Sequence, residues 1–332
     1  MDKLVFTCGD TNGIGPEIVL KTLNKISNRN KNSKYFFFIP SNVFSKTIKL
    51  VKPEFEYILT NEDNFEKSQS PTTIILQSSV ITNVGNATKD SGMAAYNSLK
   101  ASFNLLKRGI ADAVVTAPVS KTAFNLAEIN FPGQTELFAY WSKSKNYTMM
   151  FLSNKLNVAL YSIHIPLKNV PSSINEKTFI DKLKVLQRTL KFDLGIQEPR
   201  IAVLGLNPHA GEYGIIGKEE VEKIIPLIKK LKKSINIAGP FSSDAFFAKR
   251  RFNDYDLTFG LYHDQALIPF KFITAGKGVN FTAGLPIIRT SPDHGVAYDI
   301  SSKGIADASS IIKATDYAKL IVKNRKKNAS HF

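Results

Sequence analysis

The chain has 332 residues, 43% of them hydrophobic and 22% charged, which fits one large α/β domain or two lobes and does not fit a disordered or fibrous chain. One cysteine, Cys8, excludes an intrachain disulfide and points to a reducing compartment. The net charge of +16 suits anionic small substrates or nucleic acid, but the lysines are scattered along helical patterns such as "KKLKK" (229–233), and the one basic tail, "KNRKKN" (323–328), is short, so no nucleic-acid partner is expected.

The first run, "KLVFTC" (3–8), is too short for a signal-peptide core and flows into a glycine-rich turn. No stretch approaches the ~18 apolar residues of a membrane span. A soluble, cytoplasmic protein with no membrane partner is therefore expected. "YFFFIP" (35–40), "TTIILQ" (72–77), "ADAVVTA" (111–117), "NVALYSI" (157–163), "RIAVLGL" (200–206) and "LTFGLY" (257–262) continue the series of short runs rich in β-formers. Residues 92–108, 216–233 and 307–323 show helical spacing of apolar positions, with Pro226 expected to kink the second or mark its true start. The Asn/Ser/Lys-rich stretch 27–34 reads as a surface loop. Alternation of strands and helices implies an α/β fold with a largely parallel sheet.

Ligands of such sheets bind beyond the carboxyl ends of the strands, and chemistry-bearing residues collect there. "GDTNGIGPEI" (9–18) follows the first run and opens a helix, with Pro16 and Glu17 suited to its first turn. It has neither the Lys-Ser/Thr of a P-loop nor a G-x-G-x-x-G, and a tight strand-to-helix connection explains it as well as a ligand does. His164, His209 and His263 each follow a strand within a few residues, while His331 sits in the tail. One such histidine is more simply a partly buried ring bonded to a loop carbonyl. Three in equivalent places at one sheet end can bind a divalent metal. Lys121, Lys271 and Arg289, near strand ends, are candidates to hold an anionic group against a bland surface role. Asp244 and Asp264 are candidate hydrogen-bond or base partners, and Asp264 also suits turn capping.

"TAPVSK", "FPGQTE", "HIPLKNV", "LGLNPHAGEYG", "GPFSSDAFF", "YHDQALIPFK" and "GVNFTAGLPIIRTSPDHGVAYDISSKGIADASS", together with the first turn, resemble the 4-hydroxythreonine-4-phosphate dehydrogenase family from residue 3 to about residue 315. The last motif also resembles the cofactor loop of isocitrate and isopropylmalate dehydrogenases. The resemblance implies two α/β/α lobes of that dehydrogenase type with the active site in the cleft between them. The expected division is 1–130 plus 275–332 as the cofactor-side lobe and 131–274 as the lobe for metal, substrate and dimerisation. It implies NAD- or NADP-dependent oxidation of 4-phosphohydroxy-L-threonine at C3, with decarboxylation to 3-amino-2-oxopropyl phosphate, in pyridoxal 5′-phosphate synthesis by a homodimer. One divalent metal per site (Zn, Mg or Co) is implied, on His164, His209 and His263, with His263 reaching across from the partner subunit.

By the same resemblance, Gln134, Thr135, Lys271, Asn280 and Arg289 fall on substrate-contacting positions. Asp244, Asp264 and Lys271 fall near the reacting centre, where Lys271 or Asp264 would take the hydroxyl proton. His294 and Gly295, with Asn280, fall where the cofactor lies. One departure is Gln134, where the family usually has histidine. Glutamine can bind a phosphate or hydroxyl but cannot carry a proton near neutral pH. That keeps open a same-family dehydrogenase of another four-carbon phosphorylated hydroxy acid, such as erythronate or threonate 4-phosphate. A non-catalytic basic binding protein is the reading from a different class.

Overall fold

The computed structural model describes residues 1–27, 32–67 and 70–329. Its elements run β1 (Asp2–Thr7), α1 (Gly15–Ser27), β2 (Ser33–Pro40), α2 (Ser41–Leu50), β3 (Ile58–Asn61), β4 (Thr72–Gln77), α3 (Lys89–Lys107), β5 (Ala113–Thr116), α4 (Lys121–Leu126) and α5 (Gln134–Trp141). They continue with β6 (Thr148–Leu152), β7 (Val158–Leu160), α6 (Val170–Ser173), α7 (Glu176–Arg188), β8 (Ile201–Leu204), α8 (Ile225–Leu231), β9 (Ile237–Phe241), α9 (Ser243–Ala248), β10 (Leu257–Gly260), α10 (His263–Thr274) and β11 (Val279–Ala283). β12 (Ile288–Pro292) and α11 (Ser309–Lys327) complete the chain.

The chain forms two compact units: Met1–Ser142 with Ile287–Val322, and Lys143–Pro286 with Lys323–Phe332. Two divides fall about a dozen residues beyond the sequence-based boundaries (142 against 130, 286 against 274), which puts α5 in the first unit and β11 in the second, and a third, after Val322, assigns the end of α11 to the second unit rather than to the expected cofactor-side lobe.

In the first unit the strands lie in the order β3-β4-β2-β1-β5-β12, each parallel to its neighbour. The inner strands are buried on both faces, so "LVF" of β1 and "FFFI" of β2 read as unbroken apolar runs. α3 packs on β1, β2 and β5. It starts at a capping box in which the Thr88 and Ser91 side chains exchange hydrogen bonds with each other's backbone N–H. Gly92 lets it approach α4, since a Cβ there would stand 2.1 Å from the Ala123 carbonyl oxygen. The chain leaves β1 to one side for β2 and returns on the other side for β5, so the β1/β5 edge is a topological switch point.

The second unit orders its strands β11-β6-β7-β10-β8-β9, with β6 antiparallel to both neighbours and the run β7-β10-β8-β9 parallel. Its core gathers Met149, Phe151, Leu160, Leu204, Phe246, Phe252, Leu267 and Phe270. Pro226 does not mark a fresh start: it lies where a wider π-type turn over Glu220–Ile224 passes into α8, with helical backbone on both sides.

Two expectations need correction or fall outside the described residues. The loop 27–34 is shorter than expected, because Ser33 and Lys34 already belong to β2, where main-chain pairing with β1 outweighs their polar character; residues 28–31 lie outside the described residues. His331 also lies outside them. Among the described residues no helix is long and apolar enough to cross a membrane.

Candidate active-site groups in the two units

The parallel run β7-β10-β8-β9 explains how residues far apart in sequence come together. Neighbouring parallel strands end on the same edge, so the segments that follow them are neighbours too. They carry, in that order, His164, His263, His209 and Asp244. The His164 and His263 rings have centroids 6.2 Å apart. His263 is the first residue of α10, and its Nδ1 lies 2.7 Å from Asp264 Oδ1. A carboxylate on one ring nitrogen fixes the tautomer and leaves the other for a ligand. Asp244 is exposed; hydrogen bonds from Ser242 and from backbone N–H groups, with His209 electrostatically in reach, hold its carboxyl below the usual range.

His209 sits in a backbone of unusual hand. His209, Ala210, Gly211, Glu212 and Tyr213 have φ of 51°, 51°, 81°, 43° and 56°, a left-handed turn in which four of five residues carry a Cβ. Each such residue costs about 1–2 kcal/mol, so something must hold the turn. Glu220 does. It is fully buried, and its Oε1 accepts the N–H groups of Leu206 (2.7 Å) and Asn207 (2.8 Å) while Oε2 accepts Asn207 Nδ2 (2.8 Å). At Gly211 a Cβ would stand 2.6 Å from Glu220 Oε2.

The donor chemistry of exposed imidazoles beside carboxylates suits a divalent metal. Within one chain, however, no three His, Cys, Asp or Glu among the described residues gather as a metal-holding group. Exposed apolar side chains follow each histidine in the chain: Ile165 and Leu167 after His164, Tyr213 and Ile215 after His209, and, on α10 after His263, Ile268 and the more distant Phe272. Tyr213 is 95% exposed and Phe272 88%, in contrast to a core whose rings are almost wholly buried.

Lys271 lies inside α10 rather than in a loop, exposed, eight residues along from His263 and so about 12 Å further down the axis. Asn280 is on β11, paired with Phe151 in the antiparallel ladder.

The first unit presents a buried corner. Arg289 on β12 is 3% exposed. Its Nε donates to Thr116 Oγ1 (3.3 Å), Nη1 to Thr135 Oγ1 (3.3 Å), and Nη2 to Gln134 Oε1 (3.1 Å) and Ser291 Oγ (2.9 Å). Burial pushes its pKa down to about 10, with Glu136 opposing, so it stays charged at neutral pH. Gln134 uses both ends of its amide: Nε2 donates to the Ala117 carbonyl (2.9 Å) while Oε1 accepts from Arg289. Lys121 is the exposed first residue of α4.

Beyond β1, Asp10 accepts hydrogen bonds from Tyr298 Oη (2.7 Å), Ser91 Oγ (3.2 Å) and Asn12 N (2.9 Å), and burial raises its pKa. These bonds, with Ile14 N donating to Val296 O (3.0 Å), fasten the turn 9–18 to the segment that carries His294 and Gly295. His294 Nδ1 lies 3.0 Å from the Gly295 carbonyl, and its buried Nε2 has no hydrogen-bond partner. Thr11 Oγ1 and Glu17 Oε2 are also buried without partners, and both residues line a cavity of about 300 Å³ with Gly13, Lys46, Lys49 and Ser302. A Cβ at Gly295 would meet nothing within 4 Å. The unpaired polar atoms of Thr11 and Glu17, in two residues that line this cavity, suit a hydroxyl-bearing ligand such as the ribose of a nicotinamide cofactor.

Glu220, Asp10 and Tyr298 escaped the sequence reading. For Glu220 a signal existed: a charged residue on the stripe that continues through Ile224, Ile228 and Leu231.

The profile of the family described as "Pyridoxal phosphate biosynthetic protein PdxA" matches residues 31–318. The chain is 39% identical, over 98% of its length and 100% of the relative's, to 4-hydroxythreonine-4-phosphate dehydrogenase of Sulfurihydrogenibium sp. (strain YO3AOP1). It is 35% identical to the enzyme so named in Bacteroides thetaiotaomicron, over 98% of this chain and 90% of that one. Among solved structures, 4-hydroxythreonine-4-phosphate dehydrogenase from Klebsiella pneumoniae superposes with a TM-score of 0.82 at 31% identity, covering 97% of this chain and 98% of that one. The chain therefore belongs to the PdxA family of pyridoxal phosphate biosynthetic proteins, a family of oxidoreductases.

Proposed function

We propose that the protein oxidises 4-phosphohydroxy-L-threonine at C3 with NAD or NADP, and that the β-keto acid so formed loses CO₂ to give 3-amino-2-oxopropyl phosphate. The observation that carries this reading is the row of His164, His263, His209 and Asp244 at one strand edge, in a chain whose relatives carry that activity in their names. A divalent cation (Zn, Mg or Co), when bound, lowers the pKa of a substrate hydroxyl and stabilises negative charge on its oxygen. His164, His209 and His263 would hold it, the last supplied by the second subunit of a homodimer. Two observations support that arrangement: one chain gathers no three-ligand group among its described residues, and exposed apolar side chains follow each histidine in the chain.

The chain's own residues divide the remaining work. Asp264, bonded to His263 Nδ1, keeps that proton in place and so keeps the other nitrogen open. This commitment leaves the hydroxyl proton to Lys271, whose exposed side chain would accept it as the neutral amine. Asp244, held ionised, orients His209 and is a weak proton acceptor. Arg289 with Gln134 and Thr135, together with Lys271 and Asn280, binds the anionic groups of the substrate. His294 and Gly295, in the segment fastened to the turn 9–18 through Val296, hold the cofactor's nucleotide end. Cytoplasmic residence follows from such a role in small-molecule synthesis.

A same-family dehydrogenase of erythronate or threonate 4-phosphate is the second reading, and Gln134 favours it: an amide locked between Ala117 O and Arg289 binds without titrating. Following NAD(P)H formation with each phosphorylated hydroxy acid, with and without chelator, separates the two. Turnover of 4-phosphohydroxythreonine that chelator abolishes supports the first; no turnover of it, with turnover of the sugar acids, selects the second.

A further inference from the structure

Gln265 has no role in the reaction as assigned above, yet it touches three of the four strand-end segments. It is the third residue of α10 and is 8% exposed. Its Oε1 accepts the Leu261 N–H (2.7 Å), at the end of β10. Its Nε2 donates to the Gly205 carbonyl, where β8 runs into the His209 turn, and to Ser243 Oγ (2.8 Å), next to Asp244. One amide thus joins the segments bearing His263, His209 and Asp244. Only a side chain with an acceptor at one fork and two donors at the other satisfies all three bonds. The approach is close: a Cβ at Gly260 would stand 2.8 Å from Ala266 Cβ, so α10 begins hard against β10.

We propose that Gln265 is a positioning residue of the histidine group: before any cation arrives it fixes the His209 turn and Asp244 against the start of α10, the helix whose His263 is lent to the partner's site. This rests on the reading that those histidines bind a divalent cation. Glu220 shapes the His209 turn from within, whereas Gln265 fixes where that turn stands relative to its neighbours. Such support matters because ligands must be held to within about half an ångström, and loss of supporting hydrogen bonds costs about 10- to 100-fold in metal affinity.

The test compares the full-length, chelator-treated protein with Gln265→Glu, in which an oxygen faces the Gly205 carbonyl, and with Ser243→Ala, a milder change that removes one acceptor. Co²⁺ affinity is measured by calorimetry well below the unfolding temperature, and the His209 and His263 ring nitrogens are followed by NMR in the metal-free state. Gln265→Glu should weaken Co²⁺ about 10- to 100-fold and move both sets of ring signals, with Ser243→Ala a few-fold weaker. A purely structural role would lower the unfolding temperature and leave affinity and ring signals alone; that result overturns the proposal. Should the parent protein bind no Co²⁺, the metal reading falls by itself, and the ring signals then decide whether Gln265 positions the histidines.

Discussion

The Arg289 corner and the histidine row solve opposite problems. Arg289 is buried, and its guanidinium is matched by Thr116, Thr135, Gln134 and Ser291 within one unit of one chain. The histidine row stands at the strand ends; its His209 sits on a left-handed turn held by a buried glutamate, and exposed apolar side chains lie near each histidine in the chain. The first is finished by folding alone. The second carries strain and unburied apolar surface that folding of one chain leaves in place, which is the condition of a site completed by something else. Strain and completeness therefore distinguish the two groups of residues more clearly than residue type does.

The largest expected effect breaks the finished site. Arg289→Leu leaves the oxygens of Gln134, Thr116, Thr135 and Ser291 without their donor in a buried place, so it should destabilise by about 3 kcal/mol or more and abolish turnover. Chemical denaturation and the cofactor-reduction assay read both, and a folded, active variant would show that the corner is not built around this charge. In the unfinished site, His209→Ala and His209→Gly should both lose metal. The glycine variant should be the more stable of the two by about 1 kcal/mol, because only the alanine keeps a Cβ at φ near 51°. Equal stability would mean the turn relaxes at little cost. Tyr213→Glu with Ile215→Asp should shift the protein from dimer to monomer in sedimentation at micromolar concentration, and leave the unfolding free energy of the monomer nearly unchanged because both side chains are already in water.

A pH-dependent effect concerns Lys182, whose pKa burial pushes down to about 8. Its folded pKa lies below the unfolded value, so the penalty of burying its charge is fully present below pH 8 and fades as pH rises towards the unfolded pKa of 10.5. Lys182→Met should raise stability at pH 7 by at most about 3 kcal/mol and flatten the rise between pH 8 and 10.5, as read by denaturation at several pH values.

Much of this was legible in the sequence. β4 occupies the very residues read as "TTIILQ", and six other strands fall inside or within a residue or two of their apolar runs, because parallel strands covered on both faces need continuous apolar sequence. β3, β6, β9, β11 and β12 were not read as strands. β3 is short and largely exposed, β9 contains Gly239 and Pro240, and β12 carries Arg289 and Ser291 inward, where partners rather than hydrophobicity account for burial. The histidines were found because each follows a readable strand. Gln265 and Glu220 were not, although "YHDQ" and the helix over 216–233 had both been noticed, because their roles are hydrogen bonds to main chain 60 and 14 residues away. Sequence shows which residues stand at the strand ends; it does not show which buried amide or carboxylate holds those ends in register.

The most direct test is native mass spectrometry of the purified protein titrated with Co²⁺ across a range of protein concentration. If the histidine row is completed by a second copy, metal should appear on the dimer, at two ions per dimer, and be absent from the monomer. Metal bound one per chain to the monomer with equal affinity, or a dimer that takes none, would contradict the account.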